Sequence, residues 1–130
     1  MKGMRAITTT KAPGAIAPYS QGMYAGNMLF LSGQLGMTAE GKIESACPAL
    51  QTKQALENVG ILLKEAGLDY KNVVKTTVLM SNIDDYAAIN AEYAKFFSDP
   101  KPARSAFAVA ALPKHPESKV EIEVIALKEE

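Results

Sequence analysis

Two spacings of apolar residues organise this chain. Ala55, Leu56, Val59, Leu62, Leu63 and Ala66 recur at i, i+3, i+4 intervals, the signature of a helix with one buried stripe. This predicts a helix over Leu50–Ala66, with Pro48 in its first turn and Gly67 at its C-terminal cap. A second helix is predicted over Ile83–Phe97, its buried stripe formed by Ile83, Tyr86, Ala87, Tyr93 and Phe97. Ser81 or Asn82 can cap it, Asp84 and Asp85 complement the positive end of its dipole, and Asp99, Pro100 and Pro102 stop it. The remaining apolar runs are short and extended. Met4–Thr8 reads as an edge strand. Met23–Ala25 and Met28–Ser32 flank the turn pair Gly26-Asn27. Gly33, Gly36 and Gly41 mark a loop region. Val73–Met80, Ser105–Ala110 and Lys119–Leu127 complete the strands, the last two joined by a Pro113–Ser118 loop. Lys11–Ser20, with Pro13, Gly14 and Pro18, is a restricted loop.

This order predicts an α+β fold: a two-layer sandwich with a mixed sheet of five or six strands and two helices on one face. In the last strand, Val120, Ile122, Val124 and Ala126 point toward the helices. Glu121, Glu123, Ile125 and Leu127 point away. That second row begins polar and ends apolar, and no third layer exists to cover Ile125 and Leu127. An uncovered apolar patch suggests a subunit interface; the alternative is a half-solvated sheet face with two stray aliphatics.

Length and composition narrow the classes. The 130 residues suit a single domain, residues 1–130, that buries roughly two thirds of its unfolded surface without disulfides or metals. Lys plus Arg and Asp plus Glu are both 14, for a formal net charge of zero. No strong electrostatic pull toward nucleic acid or anionic lipid is expected. No apolar run reaches the roughly 20 residues of a membrane span. Cys47 is the sole cysteine and His115 the sole histidine, too few for cysteine-based zinc motifs; both read as loop residues without a catalytic role. No Asp or Glu precedes Glu40, faintly like a mitochondrial leader, but only Lys2, Arg5 and Lys11 are basic there. The expected compartment is the cytosol.

The candidate chemistry centres on Arg104, at the entrance to the penultimate strand. By alternation Ser105, Phe107 and Val109 share one face, and Arg104, Ala106 and Ala108 the other. If the helices cover the Phe107 face, Arg104 looks out beside Glu121. An arginine next to two alanines has room at its head group, and a guanidinium fork matches a carboxylate through two parallel hydrogen bonds. Parity alone favours a plainer outcome, an Arg104–Glu121 ion pair.

Four segments carry a resemblance: Ala17-Pro18-Tyr19-Ser20-Gln21-Gly22, Leu31-Ser32-Gly33-Gln34, Pro102-Ala103-Arg104-Ser105 and Val120-Glu121-Ile122-Glu123. In this order, with Leu112-Pro113-Lys114 between the last two strands, they resemble the signature segments of the Rid/YjgF family, also called the L-PSP endoribonuclease family. The likeness runs from about Thr8 to Leu127. It implies a chorismate-mutase-like fold and a homotrimer with active sites between subunits, without metal or organic cofactor. It implies that Arg104 binds a substrate carboxylate and that Glu121 positions or activates water. Tyr19 and the backbone near Ser32 and Gly33 would line the pocket, and Asn90 would come from the neighbouring subunit. Ala106 stands where many bacterial members have cysteine, and its backbone is expected to make the polar contact there.

The implied reaction is hydrolysis of 2-imino acids such as 2-iminopropanoate or 2-iminobutanoate to 2-oxo acids and ammonia. Two other classes compete. Cleavage of single-stranded RNA, behind the older family name, would require a basic stripe with aromatic platforms; the balanced charge and absence of Trp argue against it. A non-enzymatic ligand-binding or chaperone-like role suits members lacking the arginine, which is present here.

Overall fold

The computed structural model describes residues 3–129. Six strands form one sheet: β1 (Met4–Ile7), β2 (Gly22–Ala25), β3 (Met28–Leu35), β4 (Val73–Met80), β5 (Ala103–Ala108) and β6 (Val120–Leu127). Their spatial order is β1-β2-β3-β6-β4-β5. All neighbours are antiparallel except β4 and β5, which run parallel. The helices α1 (Pro48–Glu65) and α2 (Tyr86–Tyr93) pack on one sheet face, as the sequence implies. No helix among the described residues is long and apolar enough to cross a membrane.

Helix α1 forms where its periodicity places it. Ala55, Leu56, Val59, Leu62, Leu63 and Ala66 are all buried against the inward rows of the sheet: Leu29 and Leu31, Val78 and Met80, and Val120, Ile122, Val124 and Ala126. Pro48 sits in its first turn, where its missing N–H would have no intrahelical partner. At the other end Gly67, with φ +83°, reverses the chain. Its N–H donates to Lys64 O at 2.9 Å, and Leu68 N–H to Leu63 O at 2.8 Å. These two bonds satisfy terminal carbonyls and require a left-handed residue, which glycine supplies without strain.

The second helix departs from expectation. Ile83–Asp85 winds as a 3-10 turn capped by Asn82, whose side chain accepts from Asp84 N–H at 2.9 Å. After Tyr93 the N–H groups of Lys95 and Phe96 bond to carbonyls three residues back, so the chain tightens and leaves the α-helix. A first turn of three residues rotates the later residues relative to a continuous 3.6-residue stripe. The buried line is therefore Ile89, Tyr93 and Phe97, while Ile83 and Tyr86 are exposed and so is Ala87.

Strand β3 also differs: it continues through Gly33 to Leu35, so Gly33 is a strand residue rather than part of a loop. Strand β5 begins two residues earlier than expected, with Ala103 paired to Lys75. Its faces are the reverse of those expected, with consequences for the site.

Candidate active site

The first group of candidate residues gathers where β3 meets β6. Leu31 pairs with Val124 and Gln34 with Ile122, so Ser32 and Gly33 together stand against the single residue Glu123. Such a two-against-one bulge bends the strand and re-aims its neighbours. It brings Gly33 against the Glu121 side chain so closely that a Cβ there would lie 2.6 Å from Glu121 Oε2. Tyr19, nearly half exposed, comes over from the restricted loop. Together with Gly33, Glu121, Ile16, Met37 and Pro113 it lines a cavity of about 50 Å³, enough for a water and a small ligand group. The Glu121 carboxyl is pushed above its ordinary range, chiefly by burial and secondarily by the negative charge of Glu123. A half-buried carboxyl raised in this way can accept a proton from water and return it.

Ser32 is engaged through both its hydroxyl and its backbone. Its Oγ donates to Ser20 O at 2.6 Å, and its N–H to Gln21 O at 3.0 Å. Both bonds fasten the Tyr19 loop to β3. Gln21, to which the sequence pattern assigns no role, completes that fastening. Its Nε2 donates to Thr9 O and Pro13 O, and its Oε1 accepts from Thr9 N–H. A polar residue only 4% exposed is retained because a loop's backbone needs partners when it is buried. Hydrophobic periodicity carries no trace of this role.

The second group lies across the sheet. Arg104 is in register with Thr76, and Ala106 with Val78; both of those β4 residues are fully buried under the helices. Partners in register share a face, so Arg104 and Ala106 face α2. Ser105 and Phe107 share the open face with Glu123 and Glu121, through Thr77 and Leu79. The expectation that Phe107 lies under the helices and Arg104 beside Glu121 is thus corrected. Phe107 is 54% exposed. The reason is the neighbour: the Tyr93 ring already fills the space below α2, leaving room for a small Ala106 and a flat guanidinium. Arg104 Cζ lies 4.8 Å from the Tyr93 centroid, and Nη2 donates to the Tyr86 hydroxyl at 2.8 Å. Asn90 is exposed on α2 between these tyrosines, at i+4 from Tyr86 and i−3 from Tyr93, the spacing of one helix face.

Arg104 and Glu121 cannot form an ion pair within one chain. Their β4 partners are Thr76 and Leu79, so roughly 14 Å separates them at standard strand spacings, on opposite faces. Among the described residues Arg104 makes no salt bridge. The structure therefore brings Tyr19, Ser32, Gly33 and Glu121 together, and Arg104, Ala106 and Asn90 together, but does not bring the two groups to each other. The described residues contain no cluster of three or more His, Cys, Asp or Glu suited to a metal. Cys47 is exposed, at the N-cap of α1, and His115 is exposed in its loop.

Known proteins match this chain over nearly its whole length. The profile of the family described as endoribonuclease L-PSP matches residues 9–128. The human protein named 2-iminobutanoate/2-iminopropanoate deaminase is 48% identical over 125 residues, 95% of this chain and 90% of that protein. The crystal structure of the YjgF gene product from E. coli superposes with a TM-score of 0.88 at 41% identity, covering 96% of this chain and 99% of that one. The structure of E. coli TdcF with bound serine gives 0.87 at 39% identity, with coverage of 96% and 99%.

Proposed function

The chain belongs to the Rid/YjgF, or endoribonuclease L-PSP, family, and from that premise we propose that it is a deaminase hydrolysing small 2-imino acids to 2-oxo acids and ammonia. It acts in the cytosol as a homotrimer whose sites lie between protomers. The observation that carries this reading is the division of the site. The β3–β6 seam in the middle of the sheet holds a carboxyl raised in pKa beside Gly33; the edge strand β5 holds an arginine whose side-chain partners among the described residues are tyrosines. Each half has what the other lacks, so a complete site needs Arg104, Ala106 and Asn90 of one protomer against Tyr19, Ser32, Gly33 and Glu121 of the next. The open sheet face supplies a surface for such packing: Phe30 and Phe107 are exposed on it, with Ile125 and Leu127 partly so.

The chemistry then rests on the groups present. The Arg104 fork binds the substrate carboxylate through parallel hydrogen bonds and fixes the imine carbon. Glu121 orients a water and takes its proton as the oxygen adds to that carbon. The nitrogen is protonated, the carbon–nitrogen bond breaks, ammonia leaves and the carbonyl of the 2-oxo acid forms. Ala106 offers only backbone groups. Serine, present in the TdcF structure, is likewise a small carboxylate with nitrogen on the adjacent carbon. RNA cleavage is supported by the family's name alone; the formal charge is zero.

The decisive experiment is hydrolysis of freshly generated 2-iminopropanoate, coupled to detection of the 2-oxo acid, for the wild type and Arg104→Ala. Acceleration above the spontaneous rate that disappears in the variant is expected. Equal rates with and without the protein would end the deaminase assignment.

A further inference from the structure

Arg104 is held by two tyrosines of α2 that act differently. Tyr93 is buried, its hydroxyl 2.8 Å from Thr76 Oγ1. Its ring is thus a fixed shelf with the guanidinium over it, Cζ 4.8 Å from the centroid. Tyr86 is 40% exposed and contributes little to the core. Its hydroxyl accepts a hydrogen bond from Arg104 Nη2 at 2.8 Å. A guanidinium over a ring can still turn within its own plane, because a ring face offers no directional acceptor. One hydrogen bond at the edge of the fork removes that freedom.

We propose that Tyr86, through its hydroxyl, is a positioning residue that sets the in-plane orientation of the Arg104 guanidinium and thereby the affinity for the substrate carboxylate. This rests on the clamp role of Arg104 given above. The hydrogen bond does not consume the clamp. A guanidinium carries five N–H donors in a planar fork, two of them on Nη2. Whichever of these two Tyr86 takes, a parallel pair stays free: Nη1 with Nη2 at the end, or Nε with Nη2 along the side. Tyr86 therefore selects which edge of the fork meets the substrate. A phenylalanine at this position would keep the ring and lose the acceptor.

The test is Tyr86→Phe in the intact protein, read in two ways. Steady-state hydrolysis of 2-iminopropanoate gives KM and kcat; an NMR titration with 2-oxobutanoate gives Kd for an unreactive carboxylate. With the loss of one hydrogen bond, KM and Kd rise together, roughly two- to tenfold, while kcat and the melting temperature stay at wild-type values. In an Arg104→Ala background, Tyr86→Phe has no further effect on Kd, because the residue through which it acts is gone. An unchanged or lowered KM in Tyr86→Phe overturns the proposal, as does an effect that persists without Arg104. If Arg104→Ala raises KM and Tyr86→Phe does not, only the Tyr86 role falls. If Arg104→Ala itself leaves KM and Kd unchanged, the clamp is wrong and the Tyr86 role falls with it.

Discussion

Gly33 and Glu121 share a space that admits no side chain on Gly33: a Cβ there would lie 2.6 Å from Glu121 Oε2 and 2.9 Å from its Cγ. Glycine at the β3 bulge is thus a condition for the glutamate's placement. Gly33→Ala displaces the Glu121 side chain from Cγ outward, a flexible exposed-face chain that can swing aside as a whole. Stability therefore falls by less than the ~1–3 kcal/mol typical of core overpacking. Turnover falls on the order of a hundredfold, as expected when a catalytic group is misplaced by about 1 Å. Thermal melting and kcat measured on one preparation of the variant separate the two effects. A normal kcat would show that the placement of Glu121 is not critical.

With Glu121 as the proposed base, catalysis is expected to depend on its titration. Its folded-state pKa lies above the ordinary 4.5 because burial, and then Glu123, disfavour the charged form. The base form is lost as pH falls through the folded-state value, which sets the acid limb of the kcat/KM profile; a guanidinium supplied by the neighbouring protomer opposes the rise, so the limb moves to higher pH in Arg104→Ala. Stability runs the other way. A carboxyl with a raised folded pKa penalises the folded state when ionised, fully so at pH above the folded value and not at all below the unfolded one. Glu121→Gln is therefore more stable than wild type at neutral pH, and the difference shrinks as pH falls toward 4.5 and below. Its activity drops by about 10²–10⁴. Melting curves across pH, set beside the rate profile, check both signs.

Arg104→Lys keeps a charge but loses the planar fork. Losing a well-desolvated charged contact of this kind costs about 2–5 kcal/mol of binding, so KM rises tenfold or more. The melting temperature changes little, because Arg104 sits only partly buried on an edge strand and Tyr93 keeps its own bond to Thr76. Full activity in this variant would sink the carboxylate clamp; a collapsed melting temperature would make the arginine structural.

Light scattering in moderate salt is expected to give three times the 13.9 kDa chain mass. Ile125→Asp, placing a charge in the middle of the open face, should yield smaller species and lose activity together with the assembly. A fully active monomer would break the link between shared sites and catalysis.

Gln21→Leu probes the fastening of the Tyr19 loop. The substitution is close in size but leaves the Thr9 N–H, Thr9 O and Pro13 O without their partner. Each buried group left unpaired costs about 1–3 kcal/mol. A clear drop in denaturation midpoint is expected, with KM raised because Tyr19 is no longer held over the cavity. An unchanged midpoint would mean that the loop is anchored elsewhere.

The sequence by itself determined the elements whose environment is simple. Helix α1 and the alternation of β6 arise from burial on one side only, and a one-sided environment writes a regular period. Gly67 was legible as a cap because a left-handed residue is a local demand. Strand alternation marks Arg104 and Glu121; the candidacy of Tyr19 and Gly33, and the roles expected of all four, come from ordered segments resembling a family. Only the tertiary structure decided the faces of β5. Phe107 is the most apolar residue of that strand and by composition belongs inside, yet register with Thr76 and Val78 and the bulk of Tyr93 turn it outward. Likewise the partners of Gln21, and the tyrosines around Arg104, are set by contacts between distant segments. Hydrophobic period records which side of an element is buried; it does not record what lies opposite.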